Sequence, residues 1–439
     1  MTRSRPADSC DLLVIGAGAA GLFAAIHAGR EGAAAGGGLS IHAVDSARRL
    51  GAKILVAGGG RCNVTHESVS EQDFAGSSPA AIRKVLRRFS VDDTRAFFTA
   101  AGVELKREET GKLFPVSDSA RSVLEALLSE AAAAGVAIEH PARTETIEPL
   151  AEGFRVNSTA GTRLARRVIL ATGGKSLPKS GSDGSGHRLA AALGHSLSEP
   201  ILPALVPLVL EAGHPLRELS GLTLPAAITL STATGRRLFR TRGSTLCTHT
   251  GLSGPSVLDV SRHYLVARHA DAAVKLSIDW LPDLCDEHVD ARLREPGHRG
   301  VMGLLRGMLP ERLARMLCDL AECSQAGDVS REARRRLVGL IKRMPLPVVG
   351  DRGFAIAEAT AGGVPLTELR LETMESRIVP GLHLVGELLD VDGRIGGFNF
   401  QWAWASGFVA GRAAARALLQ ADSPGKRASA PRPPAPPRK

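Results

Sequence analysis

The strand-like run Asp11-Leu-Leu-Val-Ile15 passes directly into Gly16-Ala17-Gly18-Ala19-Ala20-Gly21, and Leu22 to Arg30 then follows a helical pattern. No other feature of the chain constrains its fold as strongly. A G-x-G-x-x-G spacing is weak evidence alone, but between a buried strand and a helix it marks a dinucleotide-binding turn. Gly16 permits the tight turn, Gly18 lets the backbone approach a pyrophosphate, and Gly21 lets the helix press against the strand. The helix, with Ala19 and Ala20 in its first turn, offers free N–H groups and a positive dipole end to the phosphates. A second strand, Leu39 to Val44, ends at Asp45, 24 residues after Gly21. A carboxylate there can accept both hydroxyls of an adenosine ribose and repels a 2′-phosphate. The alternative for Asp45 is a surface turn residue.

NAD and FAD share this fingerprint, and later segments favour FAD. Val168-Ile-Leu-Ala-Thr-Gly-Gly174 is a strand ending in a small-residue turn, so Ala171, Thr172 and Gly173 make a second close approach to the dinucleotide. Gly381-Leu-His-Leu-Val-Gly-Glu387 is a last strand, and an acidic residue at its end can hydrogen-bond the ribityl chain. Gly396-Gly-Phe-Asn-Phe-Gln401 leads into a helix from about Phe400 to Leu419, whose N–H groups can face the flavin edge where reduction builds negative charge. One site touched by both ends of the chain explains why these pieces lie so far apart. In Gly51 to Thr65, the run Gly58, Gly59 and Gly60 lets the backbone lie flat against a ligand. Lys53 and Arg61 can pair with phosphate, and Asn63 and Thr65 offer short polar groups to the flavin. The competing reading is a flexible loop.

Three stretches carry a family resemblance: Gly51-Ala-Lys-Ile-Leu-Val-Ala-Gly-Gly-Gly-Arg-Cys-Asn-Val-Thr65, Thr248-His-Thr-Gly-Leu-Ser-Gly-Pro255, and Gly386-Glu-Leu-Leu-Asp-Val-Asp392 continuing through Gly396 to Gly407. In order and spacing, from about residue 11 to 415, the chain resembles the bacterial BaiN/RdsA-type flavoproteins, which include aminoacetone oxidase. The resemblance implies an α/β protein with a glutathione-reductase-type FAD-binding Rossmann fold, an inserted β-rich, barrel-like domain and a helical subdomain. It implies FAD held by Gly16, Gly18, Gly21, Asp45, Asn63, Thr65, Thr172, Gly173, Gly386, Glu387, Gly397 and Asn399. It also implies reduction of an organic substrate with NAD(P)H, or oxidation of one with oxygen. Asp45 stands where the family usually has Glu.

Texture along the chain sets the expected boundaries. Residues 1–198 form the first part of the FAD-binding domain, and 356–420 its C-terminal part. Short apolar runs between Pro and Gly predict a β-rich substrate domain over 199–280 and about 345–355. Arg, Leu and Ala at helical spacing predict a helical insert over 281–344, and 421–439 reads as a disordered, basic, Pro-rich tail. Half of the net charge of +10 sits in the two termini, on Arg3, Arg5, Lys426, Arg427, Arg432, Arg438 and Lys439. Aromatic residues are 4% of the chain and Tyr264 is its sole tyrosine, so a nucleic-acid partner is disfavoured. No apolar run reaches the ~18 residues of a membrane span, and no signal-peptide pattern opens the chain. The expectation is a cytoplasmic protein with a small-molecule substrate and no membrane partner. The six cysteines form no Cys-x-x-Cys, so no metal site is expected.

The chemistry is less legible. A flavin disulfide reductase places a second cysteine five positions after the first, and here Glu67 stands in that position relative to Cys62. Cys62 is therefore either a lone flavin-side thiol or a small packing residue. Gly181-Ser-Asp-Gly-Ser-Gly186 has the glycines of a second fingerprint but follows a loop, so a dedicated NAD(P) domain is missing. NAD(P)H would then visit as a transient reductant and leave before substrate enters, giving ping-pong kinetics. His249, in a Gly/Ser-rich loop, is either a proton carrier or a structural hydrogen-bonding group. Trp402 and Trp404 read as packing residues. The function expected is an FAD-dependent reductase of a small or medium organic molecule. An oxygen-dependent aminoketone oxidase and a flavin-containing RNA-modifying protein are the alternatives.

Overall fold

The computed structural model describes residues 8–294, 300–323 and 329–422. The expected tail lies outside them from residue 423 onward, while Ala421 and Asp422 still belong to the last helix. The described residues divide into two units, one of 8–174, 178–199 and 362–422, the other of 175–177 and 200–361.

In the first unit five parallel strands lie in the order Leu382–Leu384, Gly161–Leu170, Ser9–Ile15, Ile41–Val44 and Val136–Glu139. From Cys10 onward Ser9–Ile15 is buried throughout, as a central parallel strand covered on both faces must be. Ile15 is level with Val44 on one side and Leu170 on the other, and Leu170 is level with Leu384. The carboxyl ends therefore emerge together and bring Gly16, Asp45, Ala171 and Gly386 to one edge. The chain pairs Ser9–Ile15 first with one neighbour and returns to the other side only with Gly161–Leu170. Ligands of open α/β sheets bind at such a reversal of strand order. The segment that reads as helical from residue 80 to 135 resolves into helices Pro79–Leu86, Val91–Ala100 and Ala120–Ala133. Strands Leu105–Arg107 and Lys112–Pro115 fill the gap and pair with each other, and Lys112–Pro115 also pairs with Thr65–His66.

Helix Ala19–Ala34 packs along the last helix, Phe398–Asp422. A Cβ on Gly407 would lie 2.6 Å from the Ala20 carbonyl oxygen, and one on Gly411 would lie 2.1 Å from that of Ala24. Only glycine permits this backbone approach.

The second unit holds a seven-stranded antiparallel sheet. Met344–Leu346 pairs with Lys275–Asp279 and Val348–Asp351 with Leu208–Leu210, so one run of chain borders both edges of the sheet. Helices Asp286–Arg294, Gly300–Arg306, Glu311–Leu320 and Arg331–Arg343 follow the expected helical spacing. Leu293, Leu305, Leu317 and Leu337 share one apolar cluster with Leu276, Ile278 and Trp280 of the sheet and its exit. The expected helical insert is thus built into the same unit as the sheet. Residues 356–361 also belong to this unit rather than to the returning part of the first.

On the first helix, His27 is buried among aromatic rings, with Phe23 and Phe408 each 4.7 Å away between centroids. Its Nε2 has no hydrogen-bond partner among the described residues. Burial first, and then the nearby Arg30 and Arg412 guanidinium groups, push its pKa down to about 3. The folded state therefore holds neutral His27, while the unfolded chain titrates it near the ordinary 6.5. Its contribution is intact above that value and declines as pH falls toward about 3, by up to ~1.4 kcal/mol per pH unit. Replacing His27→Leu is expected to flatten the acid dependence of stability. Urea melts of the apoprotein from about pH 6 to about pH 4 measure it, and an unchanged slope would refute the assignment.

Candidate functional site

The three fingerprint glycines do different work. Gly16 has φ +103°, and a Cβ there would sit 2.4 Å from the Ala171 carbonyl oxygen. A Cβ on Gly21 would lie 1.8 Å from the Gly16 carbonyl oxygen. These two are demanded by the protein's own packing. Gly18 has extended backbone, and a Cβ there would meet no atom within 4 Å. Nothing within the chain requires glycine at residue 18, so open space beside this helix start is what its small size preserves.

Asp45 closes its strand as expected. One carboxylate oxygen accepts the Ala17 N–H at 2.7 Å and the other accepts the Ala47 N–H at 2.7 Å. Each oxygen keeps a second lone pair for a ribose hydroxyl. Four side-chain oxygens in this unit are buried without a hydrogen-bond partner among the described residues: Thr144 Oγ1 at the start of strand Thr144–Leu150, and Asn63 Oδ1, Thr172 Oγ1 and Ser182 Oγ. Buried polar atoms are normally satisfied. Thr172 and Ser182 stand by the strand ends that flank the glycine turn and Asn63 lies beside Gly58, so these three fit a polar ligand such as FAD, whose phosphate, ribose and flavin groups would complete them.

The other edge of the site is organised by the last helix. Gly58, Gly59 and Gly60 are exposed and left-handed, with φ of 57°, 70° and 87°. Consecutive left-handed residues curl this run into an exposed turn instead of the flat backbone expected of it. Lys53 reaches the carboxylate of Glu387, tying this segment to the Gly386-Glu387 turn. Gly386 has φ +72°, and its peptide is gripped from both sides. Its N–H donates to Ser406 Oγ at 3.1 Å and its carbonyl accepts the Trp402 indole N–H at 3.1 Å. The Trp404 indole N–H donates to the Val64 carbonyl at 2.9 Å. Gln401 Oε1 accepts from Thr65 at 2.7 Å and from Thr94 at 2.9 Å. The Asn399 amide bonds both the N–H and the carbonyl of Gly393, at 2.8 and 3.0 Å. Sequence reasoning missed this role of Gln401, Trp402, Trp404 and Ser406. The buried face of a helix rich in Trp, Gln and Ser was the available signal, since such groups need partners when buried.

Several expected contacts are redirected. Thr65 and Asn399 spend their side chains on the protein, and Gly397 holds its place by approach to the Thr65 backbone, 2.7 Å from where a Cβ would stand. Arg61 pairs with Glu108 at 2.6 Å and lies over the Phe114 ring at 4.1 Å, so its charge is answered by a carboxylate rather than kept for phosphate. Lys53 is likewise given to Glu387. Cys62 is fully buried with φ +60°, and burial pushes its thiol up to about 12. A thiolate nucleophile is thereby disfavoured and the packing reading stands. His249 lies in the second unit, exposed between strands Arg237–Thr248 and Gly251–Ser253, with its carbonyl accepting from Arg217 at 2.9 Å.

With this geometry in view, comparison with known proteins is decisive for the family. The model of the HI0933-like protein Rossmann domain matches residues 10–413. The chain belongs to this family. It is an FAD-dependent oxidoreductase. The chain is 36% identical to the 3-dehydro-bile acid delta(4,6)-reductase of Clostridium scindens, over 92% of this chain and 98% of that protein. It is 31% identical to the ribosomal RNA dihydrouridine synthase of Escherichia coli, over 91% of this chain and 96% of that one. Among solved structures, 3-ketosteroid delta1-dehydrogenase from Sterolibacterium denitrificans superposes with a TM-score of 0.51 at 13% identity, covering 93% of this chain and all of that one. E. coli quinol fumarate reductase FrdA gives the same TM-score at 16% identity, over 95% of this chain and 72% of that one. These two show the fold alone. No helix among the described residues is long and apolar enough to cross a membrane.

The contrast between the glycines predicts separable effects. Replacing Gly18→Val is expected to leave the melting temperature of the apoprotein within about 2 °C, because the added carbons meet open space, while FAD affinity falls about a hundredfold or more. Replacing Gly21→Val is expected to lower the melting temperature itself. Calorimetry of the apoprotein and fluorescence titration with FAD measure the two, and a Gly18→Val protein that kept native FAD affinity would remove Gly18 from the site.

Proposed function

We propose that this flavoprotein reduces a carbon–carbon double bond conjugated to a carbonyl group in an organic substrate, with NAD(P)H as a transient reductant. The carrying observation is the 36% identity, along nearly the whole chain, to a reductase acting on a 3-dehydro-bile acid. A delta(4,6) unsaturation beside a 3-oxo group is a conjugated enone. The dihydrouridine synthases act on uracil, whose ring double bond is also conjugated to a carbonyl, so both relatives point to one electronic class of substrate. Bound FAD supplies two-electron chemistry at its N5. The chain's own part is to hold the dinucleotide through Gly16, Gly18, Gly21, Asp45 and Thr172. The Lys53–Glu387 pair and the last helix keep the flavin-side loops in place. His249 is the proposed proton carrier, since an exposed imidazole can exchange a proton with substrate.

The test is anaerobic mixing of the FAD-loaded protein with NADH and with NADPH, followed by a conjugated enone such as a 4-en-3-oxo steroid. Bleaching of the flavin absorbance by one nucleotide and its return on adding the enone is the expected outcome. No bleaching with either nucleotide, together with oxygen uptake on an aminoketone, would replace the proposal with an oxidase.

A second reading, in which the conjugated bond belongs to RNA, is favoured by the synthase relatives at 31% and 30% identity and by one surface of the second unit. The turn between strands Thr223–Ser231 and Arg237–Thr248 exposes Arg236 and Arg237 beside Leu238. Further along that strand Arg240 and Arg242 are paired with Asp279 and Asp283. If RNA is the substrate, changing Arg236 and Arg237 together to Ala is expected to weaken binding of a ribosomal RNA fragment at every sequence and reduce the salt slope by about 2. Binding that is absent, or insensitive to salt, would discard this reading.

A further inference from the structure

We infer that Ser182, on the segment leading into helix Ser185–Ala192, is a ligand of the adenosine half of FAD, and that this segment closes the adenosine end of the site. Neither the glycine fingerprint nor the acidic residue after the second strand includes it.

Ser182 is 6% exposed, and its Oγ has no hydrogen-bond partner among the described residues. A buried hydroxyl left unsatisfied costs roughly 1–3 kcal/mol, so a site that retains one has a use for it. Its surroundings say which use. A Cβ on Gly173, in the turn after strand Gly161–Leu170, would lie 2.6 Å from Ser182 Oγ. The neighbouring Gly181, at φ +99°, faces the end of the second strand, where a Cβ would lie 3.4 Å from Ser46 Oγ and 3.8 Å from Asp45 Oδ1. Ser182 therefore stands between the Thr172-Gly173 turn and the Asp45 carboxylate. Those are the carboxyl ends of two strands flanking the one that carries the glycine turn. Thr172 Oγ1, also buried and unpartnered, abuts the same segment, 1.7 Å from where a Cβ on Gly186 would stand. Glycine at residues 173 and 186 lets two hydroxyls crowd this corner without turning either one inward to a protein partner.

The segment is built to stay there. Asp183 pairs with Arg143 at 2.5 Å and accepts the Ser185 N–H at 2.9 Å. The Gly184 N–H donates to the Gly174 carbonyl at 3.0 Å. These bonds fix the backbone after Ser182, the Gly181 N–H donating to the Pro178 carbonyl at 3.2 Å fixes it before, and the Ser182 hydroxyl is left as the free group. Beside a carboxylate suited to ribose hydroxyls and a helix start suited to pyrophosphate, a serine hydroxyl can donate to a phosphate or ribose oxygen and accept from a ribose hydroxyl.

The test measures binding rather than turnover. Apoprotein is titrated with FAD by flavin fluorescence, and with AMP as a competitor. Replacing Ser182→Val is expected to raise the Kd for FAD about tenfold and to weaken AMP by a similar factor. The absorption spectrum and reduction potential of the FAD-saturated variant are expected to stay at wild-type values. Ser182→Thr, which keeps the hydroxyl, is expected to restore binding to within about threefold of wild type. If the valine variant does not fold, Ser182→Ala removes only the hydroxyl and decides in its place. Unchanged affinity for FAD and AMP overturns the inference. So does a shifted flavin spectrum or potential with AMP binding intact, which would put Ser182 on the flavin half.

Discussion

The architecture of the first unit depends on one backbone-to-backbone approach, that of the last helix against the first. Gly407 and Gly411 bring the last helix so close that a single added carbon would collide with the Ala20 and Ala24 carbonyl oxygens. The first helix is the one that follows the glycine turn. Seating the last helix on it brings residues almost four hundred positions apart into one site. Trp402 and Trp404 are fully buried in the process, a contribution that truncation to Ala would forfeit at ~3–5 kcal/mol each.

Burial alone would not shape a cofactor site. The last helix does so because its buried polar atoms are aimed at groups of two loops, mostly backbone and in one case the Thr65 hydroxyl. Trp402 and Ser406 take the carbonyl and the N–H of Gly386, Trp404 takes the Val64 carbonyl, and Gln401 takes Thr65. Each bond is satisfied inside the protein, so the loops are held before any ligand arrives. Against this background the unpartnered oxygens of Asn63, Thr172 and Ser182 stand out as groups kept for something else.

Where local chemistry suffices, the amino-acid sequence was readable. The strand, turn and helix from Asp11 to Arg30, the acid at Asp45 and the small-residue turn at Ala171 to Gly173 all fall at one sheet edge. The triple glycine at Gly58 to Gly60 is open and left-handed, as its composition implies. What the sequence did not show was how polar side chains are partnered within the fold. Arg61 had the charge to meet a phosphate, but in the fold it pairs with Glu108. Thr65 and Asn399 had the right groups but spend them on Gln401 and Gly393. Cys62 looked reactive by position and is buried beyond reach. A helical stretch read as a separate insert shares its core with the neighbouring sheet, because apolar spacing says which face is buried but not against what.

By itself the sequence determined the nucleotide-binding turn, the class of cofactor and the elements that carry them. These rest on backbone conformations that only glycine adopts and on periodicities of two and 3.6 residues, which are local properties of the chain. Tertiary structure alone decided which polar groups are spent and which are spare. A side chain's partner is set by distance in space, and Lys53 meets Glu387, or Arg143 meets Asp183, only after the sheet has aligned its strand ends. The same holds for Ser182, whose segment Gly181 to Gly186 read in the sequence only as glycines of a second fingerprint out of place. Its hydroxyl gains meaning only where folding leaves it buried, unpartnered and beside Gly173.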